Sequence, residues 1–236
     1  MTYDLISIGA HPDDVEVGSG GVLIKAAAAG RKTGIIYLTA GERGTGGNAS
    51  IRADEATAAA RAMGADLLKT YDWGDTELAD TYERRLALAA DLRLWRPRIV
   101  LCPAPWIGHG RRQSHADHVA CGVIALNAAN LATLKKADVP GEPYRPERIF
   151  HYFLPPGMWP DFVVDITDQF PAWLEALKCH RSQFLNPDKG RDYIWGLEGL
   201  ARYFGQMAGV RYGQGFKADQ TLVVDDIFNL ARIDRF

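Results

Sequence analysis

Cysteine is scarce in this 236-residue chain: Cys102, Cys121 and Cys179 lie far apart, and no CxxC pair occurs. That excludes a disulfide framework and a thiolate zinc site as organising features, and a reducing, cytoplasmic compartment is expected. Neither charge is in surplus, with 27 Lys+Arg against 29 Asp+Glu and a net charge of −2. Bulk electrostatic binding to nucleic acid needs a basic patch or stripe, so no nucleic-acid partner is expected. No apolar run reaches the roughly 18 residues of a membrane span. The opening Tyr3-Asp4-Leu5-Ile6 shows neither the basic stretch nor the long apolar core of a leader, so no membrane partner and no secretory signal are expected. Repeats, charge runs and low-complexity stretches are missing too. What is present is 47% hydrophobic and 24% charged residues, enough apolar surface for a packed core.

Leu5–Ile8 is a short apolar run that stops at Gly9, the pattern of a buried parallel strand. A polar turn follows, and then Gly20–Ala29 reads as a helix ended by Gly30. Thr33–Thr39, Leu67–Trp73 and Arg98–Cys102 read as further strands; Ile51–Met63, Thr81–Trp95 and Ala116–Thr133 read as helices. Strands alternating with helices predict an α/β fold: one Rossmann-like domain with a mostly parallel, doubly wound sheet flanked by helices. From Pro140 prolines cluster, and strands are expected at Arg148–Phe153, Phe162–Asp165 and Thr221–Val224. Helices are expected at Phe170–Phe184 and Tyr193–Met207. Residues 136–236 are therefore read as an extension of the sheet formed by 1–135, within a single domain spanning 1–236.

Ligands of doubly wound sheets sit beyond the carboxyl ends of the strands. There the first strand delivers His11-Pro12-Asp13-Asp14, and the fourth leads to Ser114-His115-Ala116-Asp117-His118. Imidazole and carboxylate are zinc ligands, and a catalytic zinc takes three of them plus an open position. His11, Asp14 and one of His115 and His118 would supply the three. Asp13 is then a carboxylate free to take a proton from water, and the other histidine is free to serve an oxyanion or leaving group. The plainer reading makes the aspartates helix caps and the histidines a surface pair. The strand-end placement of both clusters weighs against it.

The run His11-Pro12-Asp13-Asp14-Val15-Glu16 with Gly18, Gly20 and Gly21 resembles the LmbE/PIG-L family of zinc-dependent N-deacetylases. So do Arg52 with Glu55 and the run His115-Ala116-Asp117-His118. Pro160–Asp168, Ser182-Gln183-Phe184 and Ala201–Gly205 with Gly209–Tyr212 are similar to the branch that deacetylates N-acetylglucosaminyl-malate in bacillithiol biosynthesis. The resemblance implies His11, Asp14 and His118 as ligands of zinc, with ferrous iron an alternative. It implies Asp13 as general base and His115 as electrophile or acid, oriented and raised in pKa by Asp117. It implies Arg52, Tyr193 and Arg202 at the substrate, an N-acetylated amino sugar, and a homo-oligomer.

Two departures stand out. Ala116 replaces the family's proline, which removes no ligand, and Ser114 stands where that branch often has arginine. Arg111, Arg112 or Arg202 is expected to meet a malate in its place. His109 and Cys102 are read as a loop histidine and a buried strand residue. The loop Gly41–Gly47 fits neither GxGxxG nor the P-loop, so nucleotide chemistry is poorly supported. A deacetylase for another N-acetylglucosaminide, or a sugar-binding relative without catalysis, is the remaining alternative.

Overall fold

The computed structural model describes residues 2–106, 115–155, 157–190 and 192–230. Along the first half run β1 (Leu5–Gly9), α1 (Asp14–Ala28), β2 (Thr33–Tyr37), α2 (Ala49–Met63), β3 (Asp66–Thr70), α3 (Tyr82–Trp95), β4 (Ile99–Pro103) and α4 (Ala116–Ala132). The second half adds β5 (Arg148–Tyr152), β6 (Phe162–Asp165), α5 (Phe170–Cys179), α6 (Arg181–Phe184), α7 (Tyr193–Met207) and β7 (Gly213–Ala218). The strands form one sheet in the order β3-β2-β1-β4-β5-β7-β6. Neighbours from β3 through β5 pair in parallel, and β7 runs antiparallel to both β5 and β6. The α/β reading and the extension of one sheet by the second half both hold.

Alternation along the central strands divides the core between the two faces of the sheet. Ile6, Ile8, Ile36, Leu38, Val100 and Cys102 pack with Leu88 and Leu92 of α3 and Ile124 and Ala128 of α4. Leu5, Ile35, Tyr37 and Leu101 face Val15 and Leu23 of α1 and Ala56, Ala60 and Met63 of α2. A third cluster, built on Ile166, Phe170, Trp173, Leu177, Ala201 and Tyr212, holds α5 and α7 to the extension. Buried Arg93 of α3 joins the halves by donating to the carbonyls of Ala132, Leu134, Val139 and Gly141, where the chain leaves α4.

Helix ends follow their caps. The Asn48 side chain accepts from the N–H of Ile51 and Thr81 accepts from Arg84, while Gly64 closes α2 at φ 68°. Three expectations are corrected. The first helix begins at Asp14, six residues before Gly20. Glycine costs a helix about 1 kcal/mol relative to alanine, so Gly18, Gly20 and Gly21 weaken the local helical signal of this stretch. Here Gly18 and Gly21 permit close approach: a Cβ on Gly18 would lie 2.1 Å from the Tyr152 ring and one on Gly21 would lie 2.8 Å from Ile166. The expected helix Phe170–Phe184 breaks at His180, whose φ of −81° and ψ of 62° leave the helical region. The last strand is Gly213–Ala218, not Thr221–Val224. Pairing on two sides stabilises β7 despite its glycines, whereas Val223 and Val224 are exposed.

Candidate active site

The chain winds outward from β1 to β2 and β3, then returns to β4 on the other side of β1. The crevice at the carboxyl ends of β1 and β4 is therefore the switch point of the sheet. His11-Pro12-Asp13-Asp14 forms the turn from β1 into α1, and His115 caps α4 just beyond β4. Both clusters from the sequence meet there. Ring centroids of His11 lie 5.0 Å from His115 and 5.5 Å from His118.

Asp14 connects the groups, with Oδ2 3.4 Å from His11 Nδ1 and Oδ1 3.0 Å from His118 Nε2. The Asp14 carboxylate also accepts the N–H of His11 at 2.9 Å. Burial opposes its ionisation, but the charges and hydrogen bonds of His118 and His11 outweigh burial and hold its carboxyl well below the usual range. On the far side of the imidazole, His11 Nε2 meets Asp117 Oδ2 at 3.0 Å and Asp75 Oδ1 at 3.1 Å. Burial disfavours charge on His11, yet Asp14, Asp117 and Asp75 together raise it to about 10. The spot thus favours positive charge strongly, whether a proton or a cation. Donor atoms of His11, His115 and His118 lie within 4.8 Å of one another, as do those of His11, Asp75 and Asp117. This set of imidazoles and carboxylates suits zinc or ferrous iron. With Nε2 of His11 facing two carboxylates, its Nδ1 shares the space beside Asp14 with His118, the arrangement in which a carboxylate fixes a ligating imidazole.

Asp13 is the N-cap of α1 and lies at φ 126° and ψ −25°, a conformation uncommon for any residue but glycine. Arg52 of α2 holds it there. The guanidinium lies 3.3 Å from Asp13 Oδ2, donates to the Gly41 carbonyl at 2.8 Å, and also donates to the Pro12 carbonyl. Burial pushes the Asp13 carboxyl up to about 6 against the opposing pull of Arg52, a value suited to a proton acceptor near neutrality. Arg52, expected at the substrate, is buried, and three of its described contacts are with this turn and the Gly41 loop.

The expected pairing of Asp117 with His115 is corrected. Asp117 meets His115 through its backbone: its N–H donates to His115 Nδ1 at 3.2 Å. Its carboxylate instead faces His11 and accepts the N–H groups of Thr76 and Leu78. The His115 pKa is accordingly lowered, by burial first and then by the neighbouring His118 and His11, where a rise was expected. With Nδ1 accepting, a neutral His115 carries its proton on Nε2.

Arg202 is exposed on α7, paired with Glu198 at 2.8 Å and lying over the Tyr212 ring. Tyr193 packs against Phe184 beneath the ammonium of Lys189. Neither is brought into the His11 cluster by a described contact. His109, Arg111, Arg112 and Ser114 lie outside the described residues, whereas Cys102 is a fully buried strand residue as expected.

Sequence reasoning missed three groups. Asp75 follows β3, and the same strand-end argument could have found it. Fully buried His180 lies 3.1 Å from Glu16 Oε1, and Glu16 also accepts from Tyr37 at 2.7 Å. Lys189 donates to Gln183 Oε1, while Gln183 donates to the Gly46 carbonyl, tying the glycine-rich loop to the segment after α6.

A Rossmann-like sheet bearing a His/Asp cluster at its switch point is the class of protein these features define. Residues 6–129, more than half of the chain, match the PIG-L family, described as GlcNAc-PI de-N-acetylase. The chain belongs to this family. It is 31% identical to the diacetylchitobiose deacetylase of Thermococcus kodakarensis over 227 residues, covering 90% of this chain and 82% of that protein. It superposes on the conserved protein TT1542 from Thermus thermophilus with a TM-score of 0.84 at 38% identity, covering 94% of this chain and 97% of the other. The N,N'-diacetylchitobiose deacetylase of Pyrococcus horikoshii, solved with an inhibitor, gives 0.80 at 32% identity, covering 91% and 82%. Among the described residues no helix is long and apolar enough to cross a membrane.

Proposed function

We propose that this chain is a zinc-dependent N-deacetylase that hydrolyses the acetamide of an N-acetylglucosamine unit in a small sugar. One observation carries the reading: a strained carboxylate, Asp13, with its pKa raised to about 6, stands beside a cluster of histidines and carboxylates of metal-ligand chemistry. Similarity to two diacetylchitobiose deacetylases supports the acetamide and the sugar. His11, Asp14 and His118 would hold the metal, and Asp117 and Asp75 would fix the His11 imidazole from behind.

When bound, zinc would supply Lewis acidity, lowering the pKa of a water toward about 7 and polarising an amide carbonyl. Asp13 accepts the water proton, its carboxylate aimed by the positive-φ turn and by Arg52. His115 donates from Nε2 to the oxygen that gains charge in the tetrahedral intermediate, because Nδ1 is engaged by the Asp117 N–H. The C–N bond then breaks and the amine leaves with the proton that Asp13 took from the water, which returns Asp13 to its carboxylate form.

The malate conjugate of bacillithiol biosynthesis is a narrower reading of the same chemistry, and it requires an arginine at the malate. Arg202 is exposed in an i,i+4 pair with Glu198, and Arg111 and Arg112 lie outside the described residues. The test is release of free amine by the purified protein from diacetylchitobiose, N-acetylglucosaminyl-malate and N-acetylglucosamine, with metal analysis of the same sample. Turnover that follows metal content supports the reading, and a preference for the malate compound selects the narrower one. Absence of turnover on all three with metal bound rejects the deacetylase reading for these sugars.

A further inference from the structure

His118 also lines a cleft of about 300 Å³, at the small end of ligand-sized pockets. Its walls include His118, Phe153, Trp173, Leu197, Leu200 and Phe204. Among the described residues the lining contains no lysine, arginine or carboxylate. Gln214, a polar member, spends its amide on the Val22 N–H and the Val17 carbonyl. A carboxylated group would lose its hydration there and gain no charged partner among the described residues. Leu200 of α7 is 45% exposed, so the cleft opens to solvent on that side.

Two features tie this cleft to the reacting centre. His118 belongs to both. Phe153 lines the cleft with its ring centroid 4.8 Å from that of His118, on a backbone at φ 57°. An aromatic residue in the left-handed region is strained, and such strain persists where the surroundings over-determine it. Tyr152 packs edge-on at 4.8 Å and supports the ring, and its own hydroxyl donates to the Ile8 carbonyl. The room is also set by glycine: a Cβ on Gly215 of β7 would lie 2.7 Å from the Phe204 ring.

We propose that this cleft receives an apolar group of the substrate, carried either as an acyl chain longer than acetyl or as an alkyl aglycone. The inference rests on the amide-hydrolase reading of the His118 site: a substrate whose carbonyl reaches that site has its remaining substituents next to Phe153. Two substrate series separate the sources: N-acyl glucosamines from acetyl to hexanoyl, and alkyl N-acetylglucosaminides from methyl to hexyl. Burying a methylene is worth roughly fourfold. The expected result is a kcat/KM that rises by about that factor per added methylene in one series, which identifies the end that enters. In the Leu200→Asp variant that dependence on length flattens. Calorimetry with hexyl glucoside, which has no amide, gives a binding measurement independent of turnover, and it binds more tightly than methyl glucoside. Flat or falling dependence in both series, with equal binding of the two glucosides, overturns the proposal and assigns the cleft to another part of the protein or a second copy. No cleavage in either series, with hexyl glucoside still preferred, rejects the deacetylase reading and leaves the apolar site standing.

Discussion

The two sides of His118 are built from opposite materials. Toward β1 and α2 it faces Asp14, and beyond that Asp13, Arg52, Asp75 and Asp117, each with a charged or hydrogen-bonded partner. Toward β5 and α7 it faces Phe153 and a cleft of leucine and aromatic side chains. The first wall comes from the parallel half of the sheet, where strand ends deliver short polar turns. The second comes from the extension, where α7 packs across an antiparallel strand. Proton transfer needs groups fixed to within tenths of an ångström, and the hydrogen-bonded wall supplies that. Recognition of an apolar group needs area and shape, and the other wall supplies those. On the two proposals above, chemistry would fall to the first half of the chain and selectivity mainly to the second, with Val17, Gly18 and His118 as first-half members of the cleft, and substitutions should separate them.

The largest expected effect is on the residue the walls share. His118→Ala is expected to lose the metal and abolish turnover while the fold survives on its three apolar clusters; metal analysis together with circular dichroism checks this. Retention of stoichiometric metal at unchanged affinity would remove His118 from the ligand set. Next is Asp13→Asn, which keeps the carboxamide in the same turn but takes no proton. A loss of about two to four orders of magnitude in kcat with the metal retained is expected, from steady-state kinetics and metal content. His115→Ala is expected to cost about 10²- to 10³-fold in kcat with little change in KM, the pattern of a contact made in the transition state. A change confined to KM would make it a substrate-binding residue. The smallest effect is expected at Asp75→Asn, which weakens the hold on His11 from behind. Metal affinity is expected to fall about 10- to 100-fold, read by competition with a chelator. For the three variants that retain activity, Asp13→Asn, His115→Ala and Asp75→Asn, the dependence of kcat/KM on alkyl length should remain that of the parent. If they flatten it, the two walls do not act separately.

How far the sequence carried depends on whether the signal was local. β1, β2 and β4 announce themselves as apolar runs because they are buried on both faces. His11 to Asp14 and His115 to His118 are contiguous, so each cluster was visible before the fold brought them together. Asp75 was passed over because it stands alone in a loop, and its meaning depends on the 3.1 Å approach to His11. His180 carried no mark at all; its burial against Glu16 depends on the helix break at that residue. In the extension the misplaced strand shows the same limit. Thr221–Val224 has the right residues for a strand and no strand partner among the described residues, while Gly213–Ala218 has poor residues and a partner on each side. The orientation of Asp117 was likewise invisible, since spacing cannot say which of two neighbouring imidazoles a carboxylate will face.

The conformation of Asp13 bears on how such a protein can be lost or improved. A non-glycine residue in a sparsely populated region costs on the order of 1–3 kcal/mol, a sizeable share of the net stability of a domain. Glycine at position 13 would relieve that cost, and it would also remove the carboxylate. With Asp13 as the base proposed above, selection for expression level or heat resistance alone, in a laboratory or in a lineage no longer needing the reaction, would be biased toward an inactive protein at this position. A stabilisation campaign on this chain has to fix residue 13 in advance, and a relative with glycine there is better read as a binder than as a sturdier enzyme.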